Sequence, residues 1–336
     1  MSARTVPPFR ADHVGSLLRP AALVAARGEH AAGRLSAEEL RAAEDAAIAD
    51  VVAMQQRAGL QAVTDGEFRR ATWHMDFIYQ IGGISKAPGH LAVKFHNPGG
   101  DIEWTPAALH VGSKLRMDKT IFGEDFQYLQ SVAGRSVAKQ TIPSPNMVHY
   151  RGGPASIDPA VYPDVEEFWA DLAAAYADEV ARLAGLGCTY LQFDDTSLAY
   201  LNDPAQRAEI AARGEDAEHL HLRYIRQVNA ALAAKPAGLA VTTHLCRGNF
   251  RSSWAASGGY DFVAEALFSE LAVDGFFLEF DDERSGGFAP LRFVPPGKMV
   301  VLGLVTTKRG ELEDPDMLKR RIEEASRFVP LEQLCL

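Results

Sequence analysis

Cysteine is scarce in this chain. Three residues, Cys188, Cys246 and Cys335, are too few and too scattered for a disulfide framework, so reduced thiols and a cytoplasmic location are expected. Long apolar runs are missing as well. None approaches the roughly 20 residues that span a bilayer, and Met1 to Ser16 lacks the apolar core of a secretory signal. Basic charge is in deficit, with 34 Lys and Arg against 44 Asp and Glu and a net charge of −10. That balance argues against a nucleic-acid backbone or an anionic membrane surface as partner. Repeats, low-complexity tracts and blocks of one charge are absent too. What remains is 47% hydrophobic, ample for one large core, and 336 residues is a normal length for a single α/β barrel.

Eight short apolar runs punctuate the chain. They lie at Phe9 to Ser16, Leu60 to Thr64, Val137 to Ile142 and Thr189 to Phe193, then at Leu239 to Thr243, Gly275 to Leu278, Met299 to Val305 and Gln333 to Leu336. Helical patterns alternate with them. Ser36-Ala37-Glu38-Glu39 is a capping-box signature opening a helix to about Ala58, where Gly59 is the stop. Further helices are expected over Asp164 to Leu186, Glu215 to Ala234 and Asp314 to Phe328, the last with Pro315 in its first turn. Strand–helix alternation predicts parallel strands with crossover helices, and eight strands favour a (β/α)8 barrel of one domain, residues 1–336. Residues 82–130 break the rhythm and read as a β-rich insertion between strands 2 and 3, with Gly82-Gly83, Gly99-Gly100, Trp104 and a strand over Leu109 to Leu115. The eighth βα unit is truncated: the sequence stops within its strand, and the natural product is expected to be longer.

The polar residues that end these runs are the candidates for chemistry. His244 and Cys246, two apart on extended backbone, project to one side, and imidazole and thiolate are both good zinc ligands. Glu279 ends the next run and is a third candidate. Ser16, Glu67 and Asp194 occupy matching positions at other strand ends, the face where barrel active sites form. Plainer readings stand beside these. His244 and Cys246 read equally as a hydrogen-bonded histidine beside a buried thiol, and Glu279 as the start of a solvated turn through Asp281, Asp282, Glu283 and Arg284. Glu67 reads as a salt-bridge partner of Arg69 or Arg70, Asp194 as a cap for the segment that follows, and Cys188 as inert packing.

Taken together, His13-Val14-Gly15-Ser16 with Arg19-Pro20, Thr64-Asp65-Gly66-Glu67-Phe68-Arg69, Gln192-Phe193-Asp194-Asp195, His244-Leu245-Cys246 and Leu278-Glu279 carry a likeness. In this order they resemble the cobalamin-independent methionine synthase family, in particular short single-barrel members similar to the catalytic C-terminal half of the long enzyme. The resemblance implies Zn2+ held by His244, Cys246 and Glu279, with a final cysteine in a Pro-x-Cys-Gly segment beyond Leu336; Cys335 occupies a strand position before it. It implies homocysteine held by Gly15, Ser16, Glu67 and Asp194, carboxylates facing the ammonium. It further implies methyl transfer from a methylfolate donor to give methionine. Two family features lack a match: the histidine after strand seven, where this chain reads Leu304-Val305-Thr306-Thr307-Lys308, and the pterin-stacking tryptophan, for which Tyr150, beside His149 and Arg151, is the stand-in. Small-molecule partners are the expectation, with no nucleic acid and no membrane, and a homodimer is an option the sequence leaves open. Rival readings are a zinc-dependent alkyltransferase to another thiol, such as an epoxide to a small sulfonate thiol of the coenzyme M type, a metal-free decarboxylase of the porphyrinogen type, and a non-catalytic barrel that only binds its ligand. Thr72-Trp73-His74 and the insertion read either as a cover over the barrel mouth or as a surface insertion.

Overall fold

The computed structural model describes residues 4–88, 93–96, 100–104 and 108–336. Eleven strands are present among them: β1 (Ala62–Val63), β2 (Gly82–Ala87), β3 (Val93–Phe95), β4 (Ile102–Trp104), β5 (Ala108–Arg116), β6 (Val137–Pro143), β7 (Tyr190–Asp195), β8 (Ala240–Leu245), β9 (Gly275–Glu279), β10 (Met299–Gly303) and β11 (Leu334–Cys335). Seven form one parallel sheet in the order β1-β6-β7-β8-β9-β10-β11. Their apolar, β-branched composition suits strands covered on both faces.

The sheet is curled. Ala62 of β1, Cys335 of β11 and residues between them, Tyr190, Phe277, Met299 and Val301, share one buried cluster with Phe9. A flat sheet holds its two edge strands far apart, so edge residues meet only when the sheet bends round. The chain is therefore α/β with a curled parallel sheet.

The strand expected over Phe9 to Ser16 does not form. That segment instead lies between the two sheet edges. Asp12 N–H donates to Leu336 O at 3.0 Å and Leu336 N–H to Arg10 O at 2.9 Å. On the other side Leu17 N–H reaches Gly66 O at 3.1 Å and the Thr64 hydroxyl donates to Gly15 O at 2.6 Å. The physical reason is local. Asp12 accepts from the backbone N–H groups of Phe9 and His13, and Gly15 sits at φ +115, so the backbone cannot stay extended.

Helices follow the expected punctuation. Ala37–Arg57 carries both capping-box bonds at Ser36 and Glu39, and Asp164 and Asp314 cap Val165–Gly185 and Pro315–Ala325. The helix expected from Glu215 begins only at Leu220. The insertion is two antiparallel pairs, β2 with β5 and β3 with β4. Its β-rich part ends at Arg116, because Gly123–Ala133 is helical. Gly99, the side chain of Trp104 and residues 1–3 lie outside the described residues. No helix among the described residues is long and apolar enough to cross a membrane.

Candidate active site

β8 and β9 pair in register, and their C-terminal ends bring three side chains together. Ligand atoms of His244, Cys246 and Glu279 all lie within 4.8 Å of one another. Each member is held by its surroundings. Asp194 is the ladder partner of His244, and its Oδ1 meets His244 Nδ1 at 3.0 Å, which leaves Nε2 as the ring nitrogen still to be used. Cys246 N–H donates to Asp195 O at 3.1 Å, while Gly248 N–H points at the sulfur from 3.3 Å. Glu279 Oε1 accepts from Arg247 N–H at 3.3 Å. Glu279 N–H donates in turn to the Tyr260 hydroxyl at 2.9 Å.

Glu279 Oε2 is buried and has no hydrogen-bond partner. Lys308 and Arg284 each stand 3.8 Å from it, too far to hydrogen-bond, and a carboxylate oxygen buried without a hydrogen bond is costly; a cation between it, the thiol and the imidazole removes that cost. Burial pushes the Cys246 thiol up and the Glu279 charge adds to it; the Gly248 N–H and the Lys308 ammonium offset this only in part, so the sulfur stays protonated until a cation binds it directly. A closed set of soft sulfur, imidazole and carboxylate suits a zinc ion, so the residues present fit the group.

Beside Glu279 lies a charged cluster. Asp281 Oδ2 accepts from Lys308 Nζ and from the Thr306 hydroxyl, both at 2.9 Å, and Asp281 Oδ1 lies 3.0 Å from Arg284. Burial opposes ionisation of Asp281, but the Lys308 ammonium and then Arg284 outweigh it and hold its carboxyl low. Asp281 therefore does not belong to a solvated turn; its side chain is only 5% exposed.

A second group of polar residues assembles where the N-terminal segment meets the end of β1. Glu67, 5% exposed, takes a left-handed backbone at φ 60, and its Oε1 accepts from the Thr141 hydroxyl at 2.9 Å and faces Arg70 at 3.3 Å. Burial pushes its carboxyl up, Arg70 works against that, and the charge of Asp194 adds to the rise. Two carboxylates thus stand within each other's field, an arrangement that a cationic ligand relieves. Gly15 packs so close that a Cβ would stand 2.7 Å from Thr141 Cγ2 and 3.7 Å from Glu67 Oε1.

The family's sequence profile, described as cobalamin-independent synthase, catalytic domain, matches residues 9–336. The chain belongs to the cobalamin-independent methionine synthase family. Members are methyltransferases. It is 46% identical over 330 residues to the uncharacterized protein YxjH of Bacillus subtilis, covering 98% of this chain and 86% of the relative. Methionine synthase of Pyrococcus abyssi is 25% identical over 335 residues, covering 98% and 85%. Among solved structures, a putative vitamin-B12 independent methionine synthase from Listeria monocytogenes superposes with a TM-score of 0.79 at 38% identity, covering 99% of this chain and 91% of that one.

Against the family's residue pattern, the structure joins His244, Cys246 and Glu279 and sets Asp194 beside them. Gly15 and Glu67 come together, and Ser16 is exposed next to them. Tyr150 makes no recorded contact with these residues; it is buried with its ring edge-on to Tyr200 and Tyr224 and its hydroxyl on Gln206 at 3.0 Å. His74 is buried too, stacked on Trp73 at 4.3 Å between centroids, so that segment is packed into the body. Sequence reading passed over Asp281, Arg284 and Lys308 as site neighbours. The only signal was the lysine in Leu304 to Lys308, at the place where a histidine was sought.

Proposed function

We propose that the protein is a zinc-dependent thiol S-methyltransferase that methylates homocysteine from a methylfolate-type donor to give methionine, working in the cytoplasm. The observation that carries this is the convergence of His244, Cys246 and Glu279 with one orphaned carboxylate oxygen. Zinc held there would supply the charge that lets a substrate thiol ionise at neutral pH. The protein's own residues do the rest. Asp194 fixes the His244 ring through Nδ1, and Cys246 and Glu279 are tied to each other through the backbone of Arg247. Glu67 and Asp194 receive the α-ammonium of the amino acid, while the Gly15–Ser16 backbone and the Ser16 hydroxyl receive its carboxylate. In the transfer the sulfur–carbon bond forms as the carbon–nitrogen bond of the donor breaks, with the electron pair left on that nitrogen. Tyr150 serves the donor side in place of the family's pterin-stacking tryptophan, its ring edge-on to Tyr200.

The test is a metal analysis paired with a homocysteine and methylfolate assay. One zinc per chain and methionine formation are expected, with His244→Ala losing both. Full zinc loading without methionine would instead favour transfer to another thiol, a reading kept in view by the stretch Leu304 to Lys308, which holds no histidine where the long enzymes carry one after strand seven. A protein that takes up no zinc sinks both.

A further inference from the structure

Arg151 lies on helix Asn146–Gly152, which follows closely on β6 and so stands over the C-terminal ends of the sheet strands. His149 and Tyr150 of that helix are buried, whereas Arg151 is half-buried. Among the described residues Arg151 forms no ion pair, and its Nε is buried without a hydrogen-bond partner. Its guanidinium faces the Tyr200 hydroxyl. Burial keeps that hydroxyl protonated and the Arg151 charge opposes this only in part, so the arginine meets a neutral group. Its charge is uncompensated.

Tyr200 joins the arginine to the metal-ligand set. The Tyr200 hydroxyl stands 2.7 Å from where a Cβ on Gly248 would lie, and Gly248 N–H points at Cys246 Sγ from 3.3 Å. Arg151 also acts on His74. That imidazole is 2% exposed, and neither ring nitrogen has a hydrogen-bond partner. Burial first and the Arg151 charge second hold it neutral, so it brings one N–H donor and no charge. A guanidinium, an imidazole N–H and a phenol O–H from three separate segments are thus gathered with one positive charge and no anion.

Resting on the methylfolate reading above, we propose that Arg151 anchors a carboxylate of the methyl donor, with Tyr200 and His74 as neutral hydrogen-bond donors beside it. One guanidinium fork matches one carboxylate in shape and in charge. In the same reading the amino-acid acceptor is already provided for, its ammonium by Glu67 and Asp194 and its carboxylate by Gly15 and Ser16. The unmatched charge therefore falls to the donor. A reduced folate carries carboxylates at one end and the methyl-bearing nitrogen at the other, so anchoring the first fixes the direction of the second. Arg151 makes and breaks no bond in this role. An arginine that only braced Tyr200 would act alike on charged and uncharged donors.

The experiment measures dissociation constants by calorimetry, with zinc present, for the parent, Arg151→Gln and Arg151→Lys. The probes are 5-methyltetrahydrofolate, its dimethyl ester, which keeps the size but not the charges, and homocysteine. Arg151→Gln should weaken 5-methyltetrahydrofolate about tenfold, the lower end for a hydrogen bond to a charged group, and leave the diester and homocysteine within about twofold. Retained homocysteine binding shows that the variant has folded. Arg151→Lys, which keeps the charge but loses the fork, should recover part of the loss. Equal loss for the folate and its diester would reduce Arg151 to a brace for Tyr200. Loss confined to homocysteine would assign the carboxylate to the acceptor, and no loss at all would leave the charge without a ligand. Each of these overturns the proposal while the methylfolate reading stands. A parent that binds neither the folate nor its diester removes that reading instead, and the proposal with it.

Discussion

Asp194 Oδ1 is shared between His244 Nδ1 at 3.0 Å and the Gln192 side-chain amide at 2.7 Å. The same carboxylate raises Glu67 through its charge. It thus braces the proposed metal ligand His244 and faces the proposed ammonium pocket at once. Asp194→Asn keeps an acceptor for the imidazole but removes the charge. We expect zinc affinity to fall about 10- to 100-fold, the usual loss when the carboxylate behind a ligating histidine is removed, together with a higher KM for homocysteine. A chelator titration showing unchanged zinc affinity would confine Asp194 to substrate binding. Much of this site was legible in the sequence, because each ligand closes an apolar run and period-2 geometry fixes which side it faces. Asp281 was not. Asp281-Asp282-Glu283-Arg284 carries every mark of a solvated turn, and burial of its first residue depends on Lys308, 27 positions away and supplied by another strand's loop.

Among the elements, helix starts were readable where the cap lies in the local sequence, as at Ser36, Asp164 and Asp314, and misplaced where a tertiary contact intervenes. Glu215 was expected to open a helix, but its carboxylate lies 3.1 Å from Arg213 and 3.5 Å from His149 Nε2, and the helix begins at Leu220. A different buried carboxylate ties helix Val165–Gly185 to the chain before it. Glu179 accepts from Ile121 N–H at 3.0 and 3.1 Å. Burial pushes it up to about 8, and the Ile121 bond only partly opposes that. The folded value lies above the unfolded 4.5, so the native state favours the protonated form. Its contribution is full below the unfolded value and is lost as pH rises through about 8. Melting temperatures taken between those limits should decline with pH in the parent protein and decline less in Glu179→Gln, whose amide oxygen still accepts from Ile121. Parallel declines in the two proteins would exclude Glu179 as the source.

At the scale of the molecule, the question is what holds the curled sheet's two edges to the N-terminal segment. An apolar run over Phe9 to Ser16 looked like a strand because hydrophobic pattern cannot register a side chain that bonds its own backbone. Asp12 does this, and it also meets Lys139 of β6 at 3.1 Å and the Tyr190 hydroxyl at 2.8 Å. Both members of the ion pair are fully buried, and Lys139 Nζ stands 4.0 Å from the ring centroid of Phe277. Lys139 Nζ also donates to His13 O at 2.5 Å. Burial lowers the lysine, and Asp12 opposes that as the partner keeping it charged. The pair thus nails the segment that carries Gly15 and Ser16 to the inside of the sheet. Removing one member leaves the other as an uncompensated buried charge, which costs about 3–5 kcal/mol. Lys139→Met should lose that much in urea unfolding, and adding Asp12→Asn should restore part of it, since the charge left behind is then gone. Because Gly15 stands against Thr141 and Glu67, the single variant should also weaken homocysteine binding well below its unfolding midpoint. A cost under about 1 kcal/mol, the range of an exposed pair, would mean that the two backbone bonds to Leu336 hold the segment without help from the ion pair.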